Sequence, residues 1–149
     1  MQKFRIMIRI EKFRFEDKEK IKLSNEIRTK VFIEEQHVDP EIEYEFEEEG
    51  NYYLLYYKKI PIATARWRET EKGIKLERFA LLKEFRNQGL GSELLHEVIN
   101  DVLPFGKKIY LHSQVIAINY YKRSGFVAEG EHFWEANIEH VLMTYQNPT

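Results

Sequence analysis

Apolar residues along the chain change their period several times, and each change predicts a new element. Phe4, Ile6, Ile8 and Ile10 alternate with charged or flexible residues, the pattern of a half-buried strand. Leu23, Ile27 and Val31 then recur at helical spacing and predict a helix running to about Gln36. Residues 51–58 and 60–68 return to strand patterning and read as a hairpin. Tyr53, Leu55 and Tyr57 precede its turn near Lys58-Lys59, and Ile62, Thr64 and Arg66 follow it. Leu76, Phe79, Ala80, Leu81 and Leu82 mark a buried strand over 74–82. Beyond it, Leu90, Leu94, Leu95, Val98, Ile99 and Val102 define one face of a helix that ends before Pro104. A strand over 108–114, a short helix over 116–124 and closing strands near 126–131 and 139–146 complete the order. Strands separated by helical crossovers near the middle imply a locally parallel pair within a mixed sheet, an α/β fold in one domain over 1–149.

The turn between the 74–82 strand and the long helix reads Arg86-Asn87-Gln88-Gly89-Leu90-Gly91-Ser92. Gly89 and Gly91 let a ligand approach the backbone, and the first helical N–H groups lack partners inside the helix. Amides at the positive end of a helix dipole suit a phosphate, and Arg86 and Gln88 add donors. The turn is not a dinucleotide fingerprint, because Leu94 stands where the third glycine would fall, and the chain has no G-x-x-x-x-G-K-[ST] string. Taken alone, such a turn also occurs where strand and helix simply pack closely.

A second cluster narrows the reading. Residues 117–126 run Ala-Ile-Asn-Tyr-Tyr-Lys-Arg-Ser-Gly-Phe. This string is similar to the A-x-x-F-Y-E-K-x-G-F signature of the GNAT superfamily of acyl-CoA-dependent N-acetyltransferases, and the R-x-x-G-x-G turn resembles that family's pyrophosphate loop. Arg28-Thr29-Lys30-Val31-Phe32-Ile33-Glu34-Glu35-Gln36 resembles the R-x-x-V-F-x-x-E-Q helix of a subgroup. That subgroup also carries a glutamine after the fifth strand and a late G-I-x-H-x-x-M string. Here Gln114 and Asn137-Ile138-Glu139-His140-Val141-Leu142-Met143 match, with Asn137 in place of the glycine.

The resemblance implies a GNAT fold, acetyl-CoA as co-substrate, and direct acetyl transfer to a primary amine of a small molecule. The cofactor residues it implies are Phe79, Ala80, Leu81, the turn from Arg86 through Asn87, Gln88, Gly89, Leu90, Gly91 and Ser92, and Asn119 with Tyr121. An alkyl amine with a pKa of roughly 10.4 is almost wholly protonated at pH 7, so a base must take its proton. The departing thiolate must in turn gain one. Tyr121 matches the family's general-acid position, while its neighbour Tyr120 reads as a packing residue. Glu77 and Glu35 are the leading candidates for the base, and Arg28, Gln36, Arg66, Gln114, Glu131 and His140 for acceptor binding. A backbone N–H on the 76–82 strand could meet the developing oxyanion. Two other readings remain open: a non-catalytic acyl-CoA-binding module, and transfer to a protein N-terminus or lysine.

Composition excludes more than it adds. With no cysteine, neither a disulfide framework nor a zinc-thiolate site can form. The five histidines give no H-E-x-x-H, and no G-x-S-x-G occurs, so neither a metal nor a serine nucleophile is expected. A net charge of −2 argues against a general nucleic-acid binder. Apolar stretches are too short to span a bilayer, and the N-terminus interleaves charge with apolar residues, so a cytoplasmic protein is expected. Residues 41–49 are the one strong charge bias; if extended, they place Ile42, Tyr44 and Phe46 opposite a row of carboxylates. Such runs are usually solvated loops, and an acidic rim that attracts a cationic amine is the other reading. Tyr52, Tyr53, Tyr56, Tyr57, Phe133 and Trp134 exceed what one small core comfortably hides, which suggests either a homodimer or a substrate pocket lined by half of them.

Overall fold

The computed structural model describes residues 7–146. It begins with strand β1 (Ile8–Arg14), helix α1 (Lys18–Arg28) and a wider π-helical continuation (Thr29–Glu35), then a short helix α2 (Pro40–Glu43). Strands β2 (Asn51–Tyr57), β3 (Ile60–Thr70) and β4 (Gly73–Leu81) lead into helix α3 (Leu90–Val102). Strand β5 (Ile109–Gln114), helix α4 (Ile118–Lys122), and strands β6 (Phe126–Glu135) and β7 (Ile138–Tyr145) complete the chain. The strands form one seven-stranded sheet in the order β1-β2-β3-β4-β5-β7-β6. Only the β4–β5 step is parallel, so the mixed α/β sheet has the expected architecture. Of the first predicted strand, Ile8 and Ile10 lie on β1, while Phe4 and Ile6 lie outside the described residues. Among those residues no helix is long and apolar enough to cross a membrane.

Local chemistry explains the boundaries. Asp17 caps α1 by accepting from the Lys20 amide at 3.2 Å. Lys58 and Lys59 both take positive φ, +48° and +72°, the conformation that a two-residue hairpin turn matched to strand twist requires. Two apolar layers clamp the sheet. On one face Leu90, Leu94, Leu95, Val98, Ile99 and Val102 of α3 pack against Leu55, Ile62, Leu76, Leu111 and Met143. On the other, Ile21, Ile27 and Val31 meet Phe13, Tyr52, Leu54 and Tyr56. Each such side chain contributes about 1.5–3 kcal/mol when buried, so α3 is firmly seated and holds the loop at its N-terminus.

Two expectations change. The acidic segment is not an extended, fully solvated loop: it forms α2 and a short 3-10 turn (Glu47–Glu49), with Phe46 in the left-handed region at φ +59°. Glu43 is buried against Arg28, and Glu47 binds Arg28, Arg66 and Tyr52. The pull of buried guanidinium groups outweighs the alternation. The aromatic surplus is also mostly internal. Tyr52, Tyr53 and Tyr56 are buried, with Tyr52 donating to Glu47 and Tyr53 to Asp101, which leaves Trp134 as the exposed member at 71%.

Between β4 and β5 the sheet opens. Their pairing covers only Ile74–Ile109, Lys75–Tyr110 and Leu76–Leu111. At that point β4 carries a bulge: Arg66 faces Glu77, but Thr64 faces Ala80, so Arg78 and Phe79 together oppose Ala65. Arg78 takes φ +58°, an unusual value for a non-glycine residue, and β4 swings away from β5. A wedge results, with β4 backbone beyond Leu76 unpaired on its β5 side.

Candidate active site

A cavity of about 810 Å³ occupies this wedge. Phe79, Ala80 and Leu81 of the diverging strand line it, as do Arg86, Asn87, Gly89, Gly91 and Ser92 of the loop before α3. Asn87 and Gly89 turn the loop with positive φ, +65° and +80°. The first intrahelical bond runs from the Glu93 amide to the Gly89 carbonyl, so the amides of Leu90, Gly91 and Ser92 have no upstream helical acceptor. At Gly91 a Cβ would stand 3.0 Å from the Tyr120 hydroxyl, so the loop admits no side chain there without displacing that ring. Arg86 is anchored by its Nε, which donates to the Leu81 carbonyl at 2.9 Å. Its two terminal nitrogens hold Glu35 at 3.0 and 2.9 Å. These residues fit a pyrophosphate: free amides at a helix start, one guanidinium and a backbone stripped of bulk. Three residues expected here do not face the cavity. Leu90 is buried in the α3 core, Asn119 is exposed on α4, and Gln88 stands outside the lining.

Tyr120 and Tyr121 both line the cavity, their rings packed edge to face with centroids 5.0 Å apart. Tyr121 also stands edge-on to Phe126, and burial pushes its phenol well above the usual tyrosine value. Tyr120 is not mere packing. Its hydroxyl bonds Ser92, and burial, opposed by Ser92 and Arg123, raises it to about 12. The tyrosine expected to be inert is therefore tied to the cofactor loop.

The predicted carboxylates and arginines are largely committed to each other. Glu77 lines the cavity, but its Oε2 accepts from Arg66 at 2.7 Å and from Arg68 at 2.9 Å. Burial alone would raise its carboxyl; Arg66, Arg78, Lys75 and Arg68 overrule burial and hold it near about 2. Glu35 is bound to Arg86 and does not line the cavity. Arg28 and Arg66, expected to bind the acceptor, are 1% and 0% exposed and serve Glu43, Glu47 and Glu77 from behind the cavity wall. Glu131 is exposed on β6 away from the cavity, where Glu135 lines it instead.

Gln36, Gln114 and His140 do meet at the cavity, on α1's continuation, β5 and β7. Gln114 donates to the Gln36 side chain at 2.9 Å, bridging the sheet to the helical layer. His140 is opposite Gln114 in the strand register, and its Nδ1 lies 2.7 Å from the Ile138 carbonyl. A carbonyl only accepts, so Nδ1 carries a proton and Nε2 is the ring's basic position. Phe133 stacks on this ring at 6.0 Å. Among the lining residues that escaped the sequence reading are Lys75, Arg78, and His112 with Glu135, whose Nδ1–Oε2 contact is 3.0 Å. Strand parity could have pointed to two of them, since residues 112 and 114 share a face, as do 75 and 77.

The chain belongs to the GNAT acetyltransferase family: the family model for the acetyltransferase (GNAT) domain matches residues 15–147. It is 36% identical over 123 residues to the uncharacterized protein YyaT of Bacillus subtilis, covering 79% of this chain and 83% of that protein. Identity to the uncharacterized N-acetyltransferase YjcF of the same organism is 31% over 130 residues, covering 85% of this chain and 93% of that protein. An acyl-CoA N-acyltransferase from Pseudomonas aeruginosa has the same fold, with a TM-score of 0.81 at 22% identity over 93% of this chain and 99% of that one.

Proposed function

We propose that this protein transfers an acetyl group from acetyl-CoA to the primary amine of a small molecule, with Tyr121 as general acid and His140 as general base. One observation carries the reading: a cavity in the β4–β5 wedge brings together helix-start amides, a buried tyrosine and a histidine whose Nδ1 is tied to a backbone carbonyl. Acetyl-CoA supplies the activated thioester. Arg86 and the amides of Leu90, Gly91 and Ser92 would hold its pyrophosphate, and unpaired β4 backbone beyond Leu76 offers N–H groups to the pantetheine arm and the carbonyl oxygen. His140 takes a proton from the ammonium of the acceptor, because Glu77 and Glu35 are spent on arginines. Tyr121 gives its proton to the departing sulfur; a phenol raised by burial stays protonated at neutral pH. The neighbouring name "acyl-CoA N-acyltransferase" and the family assignment support the cofactor.

The test is thiol release from acetyl-CoA with a panel of primary amines. The expected result is amine-dependent release that falls about 10²–10⁴-fold in His140→Gln while acetyl-CoA affinity is retained. Cofactor binding without release from any amine would leave only a binding module.

A further inference from the structure

The acceptor end of the cavity carries a charge imbalance. Five cations, Arg28, Arg66, Arg68, Lys75 and Arg78, share three carboxylates, Glu43, Glu47 and Glu77. Glu77 takes Arg66 at 2.7 Å and Arg68 at 2.9 Å, Glu43 takes Arg28 at 2.9 Å, and Glu47 takes Arg66 at 2.9 Å and Arg28 at 3.0 Å. Of these five, Lys75 and Arg78 line the cavity. Lys75 Nζ is 3.5 Å from Glu77 Oε1, and Arg78 Nε is 3.4 Å from Glu43 Oε1 while it donates to the Glu43 carbonyl at 3.1 Å. Their side chains are only 13% and 19% exposed, so water screens this excess poorly. A fourth carboxylate, Glu135, also lines the cavity; it is bonded to His112 and lies in the field of Lys75, so the cations exceed the carboxylates by one.

Resting on the acetyltransferase reading, we infer that the acceptor amine also bears an anionic group, a carboxylate in the simplest case, and that Lys75 together with Arg78 receives it. A ligand carboxylate would complete the charge balance beside Lys75 and Arg78, through charge-assisted hydrogen bonds. An acceptor carrying only an ammonium would meet two like charges there. The same field favours the neutral, nucleophilic form of a bound amine, since nearby cations lower an amine's pKa.

The experiment compares matched acceptors that differ by one carboxylate: phenethylamine against phenylalanine, and n-butylamine against 4-aminobutanoate, with thiol release as the readout. The expected result is that a carboxylate-bearing member of at least one pair has a kcat/KM about 10- to 100-fold higher, chiefly through KM. Lys75→Gln should collapse that ratio, and Lys107→Gln, on the surface beside Glu69, should preserve it. Equal or better turnover of the plain amines in both pairs would overturn the inference, as would an unchanged ratio in Lys75→Gln. Release with no amine at all would sink the transfer reading instead. The anion site is then read alone, by thermal shift of the coenzyme-A-loaded protein with 3-phenylpropanoate and butanoate. Stabilisation that Lys75→Gln abolishes supports the site, and none in the wild type overturns it.

Discussion

Tyr120 and Tyr121 are adjacent on one short helix and line the same cavity, yet their hydroxyls are held differently. Tyr120 is bonded to Ser92 above Gly91, whereas the Tyr121 phenol is raised by burial and by Tyr120 alone. Removing the two hydroxyls should therefore give distinct phenotypes. Tyr121→Phe keeps the edge-to-face packing on Phe126, so acetyl-CoA affinity and thermal stability should hold while kcat falls about 10²–10⁴-fold. Tyr120→Phe should lose one hydrogen bond to the loop, weakening acetyl-CoA binding by about fivefold with a smaller effect on kcat. Titration calorimetry and steady-state rates on both variants separate these outcomes. If Tyr121→Phe loses binding rather than rate, Tyr121 packs and does not donate.

At the scale of elements, the π-helical stretch after α1 joins the two ends of the cavity. Phe32 and Gln36 line the acceptor side, and Glu35 reaches across to Arg86 on the cofactor loop. A pyrophosphate must compete with that carboxylate for the guanidinium. Glu35→Gln should tighten coenzyme A binding roughly two- to fivefold, the scale of a half-exposed ion pair. Weaker binding by calorimetry would mean instead that Glu35 holds Arg86 in its working orientation. Elements with a local signal were legible in the sequence. The Lys58-Lys59 turn, the α3 stripe and the Arg86–Ser92 loop depend on neighbours within one or two turns of chain. The widened winding of Thr29–Glu35 was not legible, because Leu23, Ile27 and Val31 keep the same spacing whether the helix ends or loosens. The β4 bulge was equally hidden, since nothing in Glu77-Arg78-Phe79 marks the residue that will take positive φ.

Across the whole molecule, the part that sequence patterning could not see is the buried charge network. Arg28 on α1 finds Glu43 and Glu47, 15 and 19 positions away, and Arg66 on β3 joins Glu47 to Glu77 on β4. Periodicity reports which face a residue occupies, not which distant charge will meet it there; hence Arg28 and Arg66 looked like acceptor ligands. This network clamps the helical layer to the sheet, and it makes stability depend on acid. The folded value of Glu77, about 2, lies below its ordinary 4.5, so the fold favours the ionised form. Its contribution is complete above about pH 4.5, declines as pH falls toward 2, and is on the order of 3 kcal/mol. Glu43 works in the opposite direction, because burial outweighs Arg28 and Arg78 and raises its carboxyl, so its protonation begins at higher pH and does not add to the loss. Urea titrations at pH 7, 5 and 2.5 should show a midpoint that is nearly flat over the first interval and drops over the second. Glu77→Gln should be destabilised at pH 7, with Arg66 and Arg68 left short of a partner, and should have a shallower acid limb. A wild-type midpoint that stays level down to pH 2.5 would show that an ionised Glu77 does not hold the layers together.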